Sequence, residues 1–398
     1  MISYSPTGAT TTDASPIGDP LQHGGGSQNP SLDLLRFAAA AIVALGHIRA
    51  ATFGAYGLLS AEDKSPVAAA FYFFTRLGGE AVIVFFVLSG YLIGGNYFTK
   101  IAQGKFDALD YGIDRAVRIG LPLIPALVLT ACISVFLGGE LQPLAFLVNA
   151  LSLQGVVTGC CYGGNAPLWS LPYEVWLYAM VLIIGLWLKQ SGRRLGMLPA
   201  LVVLALIFVK LEHHSLLCWL LGAAAFMRPP PRLLPYAALL GIGLLSLGLI
   251  GGQLGIDSVS LSQATRSQWT AWLPGPSVSK VLLGAGSAIL VQQIALWRPS
   301  SHIGRWWSRF GAWGAAFSFS LYLTHWPLLF LLGRLGLSGD STMTIAAFAK
   351  FAVVCAASLL VAWCSYWAFE SRTRVVRMWI KRRFSNRTQL SLTPDHPA

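Results

Sequence analysis

Arg36 and His47 stand eleven residues apart in LDLLRFAAAAIVALGHI, an otherwise apolar run. Eleven residues make about three α-helical turns, so both side chains fall on one stripe, roughly 16 Å apart along the axis. A guanidinium near one end of a membrane helix can anchor an anion. An imidazole deeper on the same face can take a proton or act as a nucleophile. Placing Arg among lipid chains costs roughly 2.5–3.5 kcal/mol on insertion scales, so such residues usually serve chemistry. A snorkelling arginine and a histidine satisfied by neighbouring helices fit the same spacing, and the run alone does not choose between them.

Three further segments carry candidates. In DYGIDRAVRIGLPLIP, Arg115 and Arg118 are i,i+3 neighbours on one helical face, a fork that suits phosphate oxygens. An ordinary basic flank would look the same. The pair gains weight because Arg36 belongs at the same membrane level, and three arginines there suit a nucleotide-like ligand. In PLWSLPYEVWLY an interfacial belt accounts for Trp169, Tyr173 and Trp176. It does not account for Glu174, a costly carboxylate unless it binds or orients something. In SFSLYLTHWPLL, Tyr322 and His325 share a face, and His325 falls at a depth similar to that of His47, roughly 20 Å from the same side. By contrast GGEAVIVFFVLSGYLIGG reads as small residues permitting close helix approach, and His213 and His214 as a solvated pair in a turn.

These residues need a membrane bundle to position them. The 398-residue chain is 55% hydrophobic and only 11% charged, where a soluble domain carries about 25% charged residues. Its long apolar runs are continuous rather than alternating, which excludes a β-barrel and predicts an all-α integral membrane protein. About ten spans are expected, near 32–53, 78–98, 119–138, 167–188, 196–211, 215–228, 233–251, 278–297, 312–333 and 343–369. The stretch 142–157 is expected to be re-entrant or interfacial. Lys and Arg concentrate on one set of alternate loops, so both termini are expected in the cytoplasm.

Residues 1–30, rich in Gly, Pro and Thr, read as a disordered tail without a signal peptide. Residues 31–371 form the membrane domain and 372–398 a basic cytoplasmic tail. The net charge of +12 does not indicate nucleic acid, because Arg372, Arg374, Arg377, Lys381, Arg382, Arg383 and Arg387 cluster beside the last membrane exit. There they meet anionic headgroups, and no aromatic-interleaved groove accompanies them. The cysteines have neither disulfide-framework nor metal-ligand spacing, and no metal is expected.

Taken together, five segments carry a resemblance. The R-x10-H spacing of LDLLRFAAAAIVALGH is similar to the first-helix signature of the acyltransferase-3 family of bacterial membrane acyltransferases. FFVLSGYLIGG resembles its second-helix pattern, and DRAVRI followed by prolines its RxxR segment. PLWSLPYEVWLY resembles its Glu motif and SFSLYLTHWPL its YxxYLxHxP segment, all in the family's order over roughly 32–370. Departures are Phe37 after the arginine, and Pro172 and Trp176 in the Glu motif. The resemblance implies transfer of an acyl group, usually acetyl from acetyl-CoA or another acyl-CoA, to a hydroxyl of a cell-surface or secreted glycan, at a bacterial inner membrane. It implies His47 as the essential histidine, Arg36 as its partner, and Arg115 and Arg118 as the acyl-CoA pair. Glu174 and His325 are expected to orient the acceptor or the imidazole. No SGNH-type domain follows the bundle, so transfer is expected to finish within it or with a separate extracytoplasmic partner. A transporter or flippase using the same charged stripe as a pathway is the competing expectation.

Overall fold

The computed structural model describes residues 29–390 except 160, 190–193, 212, 228–234, 254–277, 298–300, 338, 340 and 341. The expected tail 1–30 lies outside the described residues but for Asn29 and Pro30. Among the described residues regular structure is helical, apart from one isolated bridge between Gln154 and Thr158. In chain order the helices are α1 (Pro30–Phe53), α2 (Pro66–Thr75) and α3 (Gly78–Ser89), which continues through a π-helical turn, Gly90–Gly95, into α4 (Asn96–Ala102). Then come α5 (Ala108–Phe136), α6 (Pro143–Ala150), α7 (Leu171–Lys189), α8 (Leu198–Lys210), α9 (His213–Met227) and α10 (Pro235–Gln253). Last are α11 (Val278–Leu296), α12 (His302–Arg334), α13 (Ile345–Ala368) and α14 (Thr373–Leu390).

Local chemistry sets the helix starts. The Asn29 side chain accepts from Ser31 N and Pro30 opens α1, where its missing N–H is harmless. Asp107, Ser301 and Thr344 cap α5, α12 and α13 in the same way. Large apolar side chains face outward from several helices: Ile345 is 90% and Val67 78% exposed, which suits hydrocarbon rather than water.

Among the described residues seven helical stretches are long and apolar enough to cross a membrane, or eight if α8 and α9, bent by 115°, count together as one broken span. Ten were expected. The difference lies in 196–211, 215–228 and 233–251, where α8 has 13 residues, α9 has 15, and α10 offers only the apolar stretch Tyr236–Gly252. Within 142–157, α6 has eight residues, about 12 Å, too short to cross. The solvated-pair reading of His213 and His214 needs correcting: His214 turns inward and is buried, packed in the first turn of α9, while His213 is exposed.

Two close approaches bring the functional segments together. α1 packs along α12, and a Cβ on Gly311 or Gly314 would stand 2.7 Å from Leu34 or 2.2 Å from the Phe37 ring. Glycine at these positions lets the two backbones meet. Likewise Gly90 and Gly222 let the π-helical turn and α9 touch, since a Cβ on either would strike a backbone oxygen, of Trp219 at 1.9 Å or of Val87 at 2.1 Å. The π-helical turn therefore exists where GYLIGG removes the side chains that would hold α9 away.

Candidate active site

The α1–α12 contact joins the two imidazoles. His47 Nδ1 lies 2.9 Å from His325 Nε2, and His325 Nδ1 lies 2.8 Å from the Leu321 carbonyl oxygen. A carbonyl only accepts, so His325 Nδ1 carries the proton and donates it to Leu321. With both rings neutral, His325 Nε2 then accepts, and His47 Nδ1–H donates. This leaves the His47 Nε2 lone pair without a protein partner among the described residues. The Trp326 ring stands edge-on to His47, with centroids 4.6 Å apart. His325 is fully buried and His47 partly so, which makes one ring the fixed support and the other the reachable atom.

A separate cavity of about 890 Å³ lies among α1, α3 with its π-helical turn, α5, α7, α12 and the start of α14. Arg36, Arg115, Arg118, Arg374 and Arg377 line it. Carboxylates hold most of these cations. Asp114 binds Arg115 and also takes Arg377 Nη1 at 2.5 Å. Arg118 Nη1 meets Glu370 at 2.9 Å, while the other Glu370 oxygen accepts from Ser320 Oγ at 2.7 Å and from Ser320 N at 3.2 Å. Arg36 reaches Asp33 at 3.3 Å and donates to the Ala315 carbonyl oxygen at 3.3 Å. The Nε atoms of Arg36, Arg115 and Arg377 are buried with no hydrogen-bond partner among the described residues. These unsatisfied donors belong to guanidiniums that line the basic cavity, where an anionic ligand would find cationic partners.

Deeper in the same cavity, Tyr178 donates to Glu174 and its ring lies beneath the Arg115 guanidinium at 5.4 Å. Phe85, Ser170 and Tyr322 line it as well. The Tyr322 hydroxyl donates to the Pro167 carbonyl oxygen at 2.7 Å and so accepts from Ser170 Oγ at 2.6 Å. Its ring centroid is 6.3 Å from that of His325 and 6.3 Å from that of Phe85.

The expected residues therefore fall into two groups. Arg36, Arg115, Arg118 and Glu174 line the cavity. His47 and His325 do not, and Tyr322 stands between. Arg115 and Arg118 lie within α5, which begins at Ala108, well ahead of the span start expected near 119. Sequence reasoning missed Asp114, Glu370, Arg374 and Arg377. Asp114 had a signal in its place beside Arg115. The other three follow the last apolar run, where charge reads as a solvated flank. Among the described residues no group of three or more His, Cys, Asp or Glu is placed to hold a metal ion.

A family profile described as an acyltransferase domain matches residues 29–367, most of the chain. No curated protein and no solved structure matches it.

Proposed function

Because the chain belongs to the acyltransferase-3 family, we propose that it moves an acyl group, in the first instance acetyl, from acyl-CoA to a hydroxyl of a cell-surface or secreted glycan. We place it in a bacterial plasma membrane with both termini cytoplasmic, so that the donor arrives from the cytosol and the acceptor from the other side. The observation that carries this reading is the ordered His325–His47 hydrogen-bond chain, which leaves one nitrogen lone pair unused beyond a basic cavity.

The arginines would bind the donor's phosphates, which Arg matches bidentately. The cavity volume falls in the range of ligand pockets, roughly 300–1,000 Å³. The acyl arm would extend toward Tyr322, whose bonds to Pro167 and Ser170 must yield for the thioester to reach His47. There His47 Nε2 takes the acceptor's hydroxyl proton as the new C–O bond forms. It returns the proton to the departing sulfur as the C–S bond breaks. His47 Nε2 can also carry the acyl group itself between the two steps. In either course His325 Nε2 holds His47 Nδ1–H and fixes the ring. Glu174, bound to Tyr178, would order the donor arm or the acceptor from the cavity wall.

The test is release of CoA thiol by the purified protein given acetyl-CoA and a sugar acceptor. Wild type should release thiol only with both substrates, and His47→Ala should abolish release while keeping normal protein levels. Retained activity in that variant would remove His47 from the chemistry. Solute uptake into proteoliposomes with no thiol release would replace transfer by transport. Mass spectrometry of envelope glycans from a deletion strain would then name the acceptor.

A further inference from the structure

The match to the family ends at residue 367, yet the cavity does not. Thr373, Arg374 and Arg377, all on the first turns of α14, complete its lining. This helix was expected as part of a basic cytoplasmic tail, and it is fastened at three points. Glu370, just ahead of it, is 3% exposed and joins Arg118 to Ser320. Arg377 holds Asp114 on α5, and one turn further Lys381 pairs with Asp110. Arg36, Arg115, Arg118 and Arg377 each share a carboxylate. Arg374 has no ion pair among the described residues, and its exposed side chain lines the cavity with water rather than a carboxylate as its partner. Arg377 offers a buried Nε–H with no acceptor.

We infer that the start of α14 is a phosphate-binding clamp on the donor site, with Arg374 and Arg377 holding a phosphate ester of the acyl donor's nucleotide end. The inference rests on the acyl-CoA reading above and adds to it a binding element outside the matched domain. A single unpaired guanidinium beside a paired one suits a ligand that displaces little. Asp114 can keep Arg115 while Arg377 turns part of its fork to the new oxygens. Anionic lipid headgroups carry the same phosphate chemistry, so the experiment has an arm for each source.

The full-length protein, in nanodiscs of zwitterionic lipid, would be titrated calorimetrically with CoA and with phosphate-free pantetheine. Arg374→Gln should weaken CoA binding about tenfold, the usual scale for one charge-assisted hydrogen bond. It should leave pantetheine binding unchanged. Arg382→Gln, an exposed position on the same helix outside the cavity lining, should match wild type in both titrations. An unaltered size-exclusion profile, with Arg374→Lys recovering part of the affinity, would show that the loss is one of charge and not of folding. Equal CoA affinity in wild type and Arg374→Gln overturns the clamp and leaves the proposed function standing. No CoA binding by wild type overturns both. If Arg374→Gln keeps its CoA affinity and loses only retention on phosphatidylglycerol vesicles, the arginine serves lipid and the clamp is again overturned.

Discussion

His47 and His325 are separated by 278 residues in the chain, and their bond is the most consequential pairing at the scale of single side chains. Its direction follows from one carbonyl. Leu321 O can only accept, so the protons order themselves outward, and the His47 Nε2 lone pair is left for the proposed chemistry. In the proposed mechanism His325 acts through His47 by positioning it. Replacing it with alanine should lower kcat about a hundredfold, the low end for acid–base catalysis, with KM for the acyl donor unchanged. His325→Gln should keep more activity, since an amide oxygen can accept from His47 Nδ1–H. Steady-state kinetics on the purified variants would check this. A rise in KM with kcat intact would contradict it. In the sequence the two residues were visible as candidates at similar depth. Their contact was not, because depth along two helices says nothing about which faces meet.

At the scale of elements, glycine decides which helices touch. Gly222 presses α9 onto α3 and its π-helical turn, whose Tyr91, Leu92 and Ile93 line the cavity. A Cβ there meets the backbone oxygen of Val87, which no rotamer change can relieve. Gly222→Val should therefore destabilise the protein by about 1–3 kcal/mol, the usual range for overpacking. The expected result is a lowered Tm in a thermal-shift assay, with reduced donor affinity as the cavity wall shifts. An unchanged Tm would mean that α9 is not held as described. The small-residue pattern in FFVLSGYLIGG announced close packing, but neither the partner helix nor the π-helical turn could be read from it. The same holds for α14. Its charges suggested a flank, and only the packing on α5 turns two of them into cavity lining.

For the whole molecule, the basic ends of α1, α5 and α14 meet at one level, and the proposed orientation places that level at the cytosol. A fluorescent-protein fusion after the C-terminus should glow and an alkaline-phosphatase fusion at the same point should be inactive. The opposite pair of results would put the arginines on the wrong side for a cytosolic donor. Helicity and membrane residence were legible in the sequence, because long apolar runs in lipid must satisfy every backbone group within one segment. The candidate residues were legible too, since a guanidinium or imidazole in such a run is costly enough to mark itself. The number of crossings was less so. The apolar runs at α8, α9 and α10 are short, and composition does not reveal a 115° bend. The tertiary structure decided what meets what: imidazole with imidazole, Arg118 with Glu370, Asp114 with Arg377, and Tyr322 between cavity and dyad. Hydropathy and helical period are properties of neighbouring residues in the chain. These contacts join residues far apart in it, and they depend on how helix faces pack, which no local pattern records.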